Sequence, residues 1–132
     1  MIYLLVGAAG MIGALLRYYV GLIFDSGWAW GFPLGTFLAN MAGSFVLAWF
    51  TTYISAMKKI HPHVLTAVGT GLVGSFTTFS TFSVETVQLL RQGDWQVAFI
   101  YVLLSLIGGL FLSGLGYYTG KSLHRKWREE TA

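Results

Sequence analysis

The sequence predicts an all-α membrane protein with four transmembrane helices, the third of them broken near the bilayer midplane. Three observations predict it. Apolar residues make up 55% of the 132-residue chain and charged residues 10%, against about 45–50% and about 25% in soluble domains. The few charges gather at the borders of four apolar stretches, each longer than the roughly 20 residues a helix needs to cross about 30 Å of hydrocarbon. Within the third stretch, Gly, Ser and Thr concentrate near the middle. The length fits a single domain, residues 1–132, and the mean hydropathy of +0.67 argues against an ordinary soluble enzyme.

The first span runs from about Ile2 to Phe24. It has no basic leader and three similar stretches follow, so it reads as a mature span and not as a signal peptide. The second runs from about Pro33 to Met57, the third from about Pro62 to Leu90, and the fourth from about Trp95 to Thr119. Pro33 and Pro62 suit the first turns of their helices. The connectors are short and polar: Asp25-Ser26-Gly27, Lys58-Lys59 and Arg91-Gln92-Gly93-Asp94. Trp28, Trp30, Trp49, Trp95 and Trp127 lie mainly near span ends, where an interfacial aromatic belt places them.

Four spans put both termini on the side of Lys58 and Lys59, together with Lys121, Arg125, Lys126 and Arg128. Arg91 lies on the other side, with Arg17 inside the first span. The positive-inside rule therefore predicts cytoplasmic termini. The basic tail His124-Arg125-Lys126-Trp127-Arg128 reads as a topology anchor at the lipid bilayer rather than a nucleic-acid site, and Glu129 and Glu130 dilute its charge.

Lipid gives helices no hydrophobic reason to associate, so small residues mark their contact faces. The second span carries Gly35, Ala39 and Gly43 at four-residue spacing. The fourth carries Ser105, Gly109 and Ser113, then Gly116 and Gly120; the first carries Gly7, Gly10, Gly13 and Ala14. Helices packed this closely leave little room for a pore in one copy, so a solute-moving protein of this size is expected to be an oligomer.

An unbroken helix from Pro62 to Leu90 would exceed about 40 Å at 1.5 Å per residue. Gly lowers helix stability by about 1 kcal/mol relative to Ala, and Ser and Thr offer the backbone competing hydrogen bonds. A break is therefore expected around Gly74 to Thr77. Non-helical backbone at such depth must be buried or line a cavity. Its freed carbonyls could hold a cation such as Na+, or the kink could be closed by hydroxyl side chains without an ion.

Past the break, Phe79 and Phe82 share a helix face, either as packing or with their partially positive ring edges turned to a small anion. Ser80, Thr81 and Ser83 offer a track of hydroxyl donors. Asn40 in the second span must find partners, either an anion for its amide donors or a neighbouring helix. Thr36 lies one turn away, and Tyr101 and Ser105 add hydroxyls in the fourth span. Arg17 is an intramembrane cation and hence a functional candidate, suited to a vestibule mouth that attracts anions. Glu85 is expected near the headgroups, pairing or capping.

Cys is absent, which excludes thiolate metal sites, disulfides and Cys nucleophiles. No His-Glu-x-x-His, P-loop, carboxylate pair or intramembrane Ser-His-Asp set is present. His61 and His63 flank Pro62 in a loop, as surface residues.

The run Gly-Ser-Phe-Thr-Thr-Phe-Ser-Thr-Phe-Ser-x-Glu, from Gly74 to Glu85, strongly resembles the Fluc/CrcB family of small bacterial fluoride channels. The segments Gly35 to Phe45 and Gly13 to Tyr18 support the likeness, which covers all four spans. The resemblance implies a dimer of antiparallel protomers in the bacterial cell membrane, two narrow fluoride pathways, and passive export that lowers cytoplasmic fluoride. It implies a structural Na+ at the dimer centre on backbone carbonyls of Gly74 and Thr77. It implies a fluoride pathway of Phe79, Phe82, Asn40, Ser80, Thr81, Tyr101 and Ser105, with Arg17 at the vestibule. The six-to-two Lys/Arg split leaves two arrangements open, a homodimer or pairing with an oppositely inserted homologue. The alternatives to a non-enzymatic fluoride channel are a small four-span multidrug exporter, which needs a membrane-embedded carboxylate, and a non-transporting assembly subunit with no helix break.

Overall fold

The computed structural model describes residues 1–24, 31–54, 57 and 60–131. The expected connectors Asp25-Ser26-Gly27 and Lys58-Lys59, and Trp28 and Trp30, lie outside the described residues. The first apolar stretch, free of Pro, forms one helix, α1 (Ile2–Phe24). It buries Gly13 and leaves Met11, Ile12, Leu15 and Leu16 exposed. Such an apolar exterior would be an aggregation-prone patch in water; in lipid it is matched to its surroundings.

The second stretch forms α2 (Leu34–Trp49), entered at Pro33 and continued by a π-helical turn, π1 (Phe50–Ile54). Its small-residue stripe faces inward: Gly35, Thr36, Ala39 and Gly43 are buried. In π1 the Thr51 hydroxyl donates to the Leu47 carbonyl at 2.8 Å and Thr52 to that of Ala48 at 2.7 Å. Such back-bonding bends helices and accompanies the locally widened turn.

The third stretch does not form one helix. It begins with α3 (Pro62–Thr66), where Pro62 occupies the first turn and His61 Nδ1 accepts the His63 N–H at 3.2 Å. It widens into π2 (Ala67–Val73) and closes with the short α4 (Gly74–Phe76). The backbone then extends at Thr77 (φ −82°, ψ 155°) and Thr78 (φ −151°, ψ 126°), and α5 (Phe79–Gln92) begins. The interruption thus lies just beyond Gly74, which is itself helical (φ −63°, ψ −31°). A Gly makes a helix cheaper to leave but does not force the exit; beyond it, the Thr78 hydroxyl caps α5 by accepting the Thr81 N–H at 3.2 Å. At the far end, Gly93 (φ 88°) stops α5. Its N–H reaches the Leu90 carbonyl and the Asp94 N–H reaches that of Leu89, the paired bonds of a Schellman stop, which requires a left-handed residue.

The last helix, α6 (Trp95–Thr131), has 37 residues and is about 55 Å long. It continues well past Thr119, since nothing between Thr119 and Thr131 breaks a helix. It packs along α2, with Gly116 and Gly120 buried, and around Tyr101, which is fully buried. Among the described residues, Ile2–Phe24, Leu34–Ile54 and Trp95–Glu129 are long and apolar enough to cross a membrane. The segments on either side of the interruption are each only about 20 Å long.

Candidate functional site

The polar residues of the apolar helices converge on the start of α5. Asn40, mid-way along α2, turns its amide to the Thr78 backbone. Its Oδ1 accepts the Thr78 N–H at 2.8 Å and its Nδ2 donates to the Thr78 carbonyl at 2.9 Å. One Nδ2 hydrogen is not used by this pair, since an amide carries two donors. One turn on, Gly43 makes room for Thr77: a Cβ there would strike the Thr77 methyl group.

Diverting the Thr78 N–H has a consequence for the carbonyls. In a continuous helix it would donate to the Gly74 carbonyl; here Asn40 takes it. The Thr81 N–H would likewise donate to the Thr77 carbonyl, and here the Thr78 hydroxyl takes it. The Gly74 and Thr77 carbonyls therefore lose their usual helical donors at one junction. Neutral carbonyl oxygens of this kind fit a hard monovalent cation.

Two cavities flank the junction. The first, about 570 Å³, is lined by Asn40, Gly74, Thr77, Thr78, Phe79, Phe82 and Ser105 among others. The Phe79 and Phe82 ring centroids are 5.9 Å apart, and Phe79 is 79% exposed on the chain's outer surface. The second, about 650 Å³, is lined by Arg17, Tyr18, Thr36, Thr81 and Glu85, with Ala14, Gly21 and Leu22. Arg17 Nη1 donates to Thr81 Oγ1 at 3.3 Å, and the Thr78 hydroxyl donates to the same oxygen at 3.0 Å. Ser80 Oγ lies 3.3 Å from the Thr78 hydroxyl. A chain of hydroxyls thus joins the Arg17 side of α5 to the Asn40 side.

Glu85, two turns into α5, ties three helices together. Its Oε1 accepts the Thr36 hydroxyl from α2 and its Oε2 the Tyr101 hydroxyl from α6, both at 2.8 Å. Thr36 is 6% exposed and Tyr101 not at all. The Tyr101 ring packs against Phe82 at 5.0 Å and Phe32 at 5.3 Å.

Residues 4–117 match the family model described as "CrcB-like protein, Camphor Resistance (CrcB)". The chain belongs to the CrcB family. Its similar relatives include the "Fluoride-specific ion channel FluC 1" of Bacillus thuringiensis subsp. konkukian, 55% identical, with 96% of this chain and 92% of that protein covered. The "Fluoride-specific ion channel FluC 2" of Geobacillus kaustophilus is 52% identical over 89% of this chain and 91% of its own length. That of Listeria innocua is 39% identical over 96% and 95%. Long apolar helices and membership of the CrcB family make this a membrane protein.

The structure groups the candidate residues in two sets rather than one line. Asn40, Gly74, Thr77, Phe79, Phe82 and Ser105 share the first cavity, and Arg17 and Thr81 share the second. Tyr101 lies between them, its hydroxyl on Glu85. Ser83 returns its hydroxyl to the Phe79 carbonyl at 2.9 Å. The residues the sequence did not single out as a set are Thr36, Thr78 and Glu85. The recurrence of Thr36 one turn from Asn40 on the buried stripe was the available signal.

Proposed function

We propose that this chain is a fluoride-selective channel of the bacterial cell membrane that lowers cytoplasmic fluoride by passive export and so limits its toxicity. The observation that carries the reading is the first cavity. There an amide, hydroxyl-bearing residues and two phenylalanines meet at an interrupted helix, in a chain whose relatives are named fluoride-specific ion channels. A small anion gives up water only where other donors replace it. The free Nδ2 hydrogen of Asn40, the hydroxyls of Ser80, Thr81 and Ser105, and the ring edges of Phe79 and Phe82 supply those replacements, while the Tyr101 hydroxyl is given to Glu85. Arg17 at the second cavity raises the local anion concentration by its charge.

In this reading α3, π2, α4 and α5 cross the membrane together as the third of four spans, with Thr77 and Thr78 near the midplane. Two antiparallel copies, or one copy and an oppositely inserted homologue, face their first cavities toward each other. The exposed Phe79 then becomes lining. The Gly74 and Thr77 carbonyls of both chains hold a structural Na+, which supplies positive charge at the dimer centre and is not transported.

Proteoliposomes loaded with fluoride, read with a fluoride electrode, test this. Expected is rapid fluoride release with negligible chloride release, and loss of release when Na+ is replaced by a larger cation. Absence of fluoride release refutes the channel; full release without Na+ refutes the cation. The drug-exporter alternative, which needs a membrane-embedded carboxylate, predicts proton-coupled uptake of cationic dyes instead.

A further inference from the structure

Thr77 and Thr78 do not by themselves account for the interruption, since Thr is tolerated inside helices and the Gly74 that precedes them stays helical. The decisive contact comes from another helix. We infer that Asn40 is the positioning residue that holds the interruption open, and that it thereby sets the affinity of the Gly74 and Thr77 carbonyls for a monovalent cation. The second half of this inference rests on the cation reading above.

The geometry is that of a peptide paired with a peptide. The Asn40 amide accepts from the Thr78 N–H at 2.8 Å and donates to the Thr78 carbonyl at 2.9 Å. Both polar groups of one residue are captured, so Thr78 is held extended and its N–H cannot return to Gly74. With Thr78 so held, its hydroxyl stands at the start of α5 and takes the Thr81 N–H. That is the donor the Thr77 carbonyl would otherwise receive. One side chain thus strips two carbonyls of their helical donors, one directly and one through Thr78. Gly43, three residues on along the same face, admits the Thr77 methyl group to the α2 surface. Because Asn40 also lines the cavity with Phe82, the anion path and the cation site meet in one amide.

The test measures how much Na+ half-maximally raises the thermal unfolding temperature of the full chain in detergent, with backbone hydrogen exchange read at Thr78. Gly7→Ala, where an added Cβ meets nothing within 4 Å, is expected to keep the wild-type Na+ midpoint. Asn40→Ala is expected to raise it roughly 10–100-fold, as loss of a partner that orients metal ligands does, and to speed exchange at Thr78. Asn40→Asp separates the mechanism from simple charge. Protonated, the acid can both donate to the Thr78 carbonyl and accept its N–H; ionised, it can only accept. The midpoint of Asn40→Asp is therefore expected to rise with pH. A carboxylate acting by charge alone would lower it.

The neighbouring charged groups, Arg17 on Thr81 and Glu85 on Thr36 and Tyr101, are common to all variants. A wild-type midpoint in Asn40→Ala, or a midpoint in Asn40→Asp that falls with pH, overturns the inference. Should Asn40→Ala not fold, the sign in Asn40→Asp decides alone. A wild-type chain indifferent to Na+ overturns both this inference and the cation reading, while fluoride release from the same preparation still reports on the channel.

Discussion

Removing a single oxygen from Tyr101 probes the contact that joins α2, α5 and α6. In Tyr101→Phe the ring keeps its places beside Phe32 and Phe82, 5.3 and 5.0 Å away. The 2.8 Å bond to Glu85 Oε2 is lost. A hydrogen bond to a charged acceptor contributes about 1.5–3 kcal/mol in soluble proteins. Side-chain bonds between membrane helices average about 0.6 kcal/mol and reach about 1.7. Tyr101 has no exposed surface, so no solvent replaces the lost donor. The expected cost is therefore near the membrane maximum, about 1.5 kcal/mol, or about tenfold in the unfolding equilibrium. Reversible unfolding by sodium dodecyl sulfate in mixed micelles measures it. Thr36→Val removes a second donor to the same carboxylate, and the double variant should show a coupling of at least about 0.5 kcal/mol. A Tyr101→Phe protein within about 0.3 kcal/mol of wild type, with additive double-variant costs, would refute the three-helix tie.

Other substitutions test separate parts of the structure. A Cβ at Gly13 would strike the Leu72 carbonyl, and backbone cannot swing aside. Gly13→Ala should therefore lose about 1–3 kcal/mol, while Gly7→Ala, with nothing within 4 Å, should lose nothing in the same titration. Thr78→Ala should cost about 1 kcal/mol through its lost cap, with Thr78→Ser recovering most of it; equal values for the two would reject the cap. Phe79→Ile and Phe82→Ile should each sharply reduce fluoride release from proteoliposomes while leaving the fold intact by circular dichroism. Unchanged release in both would eliminate the ring-edge contacts.

Much of the local structure was legible because local chemistry decides it. An uninterrupted apolar run made α1, Pro62 opened α3, Gly93 closed α5, and the small residues of α2 turned inward. The position of the interruption was legible only to within a few residues. Gly74 lowers the cost of leaving the helix, but Asn40, 38 positions from Thr78, chooses where it is left. The same is true of Glu85. Its partners Thr36 and Tyr101 lie 49 and 16 positions away, so no spacing rule links them, and span arithmetic alone put it near the headgroups. The π-helical turns π1 and π2 were not legible, because apolar periodicity does not separate a π turn from an α turn; in π1 the Thr51 and Thr52 back-bonds accompany it. The helix α6 runs on past the apolar span because the polar residues after Thr119 end the apolar pattern without ending the helix.

Voltage-clamped planar bilayers containing the purified protein, with Na+ equal on both sides and fluoride unequal, probe the ion path most directly. Current reversing at the fluoride equilibrium potential, and abolished in Phe82→Ile, is the predicted result. Current that instead follows a proton or cation gradient, or no current at any fluoride gradient, would contradict a fluoride path through the Asn40–Thr78 junction.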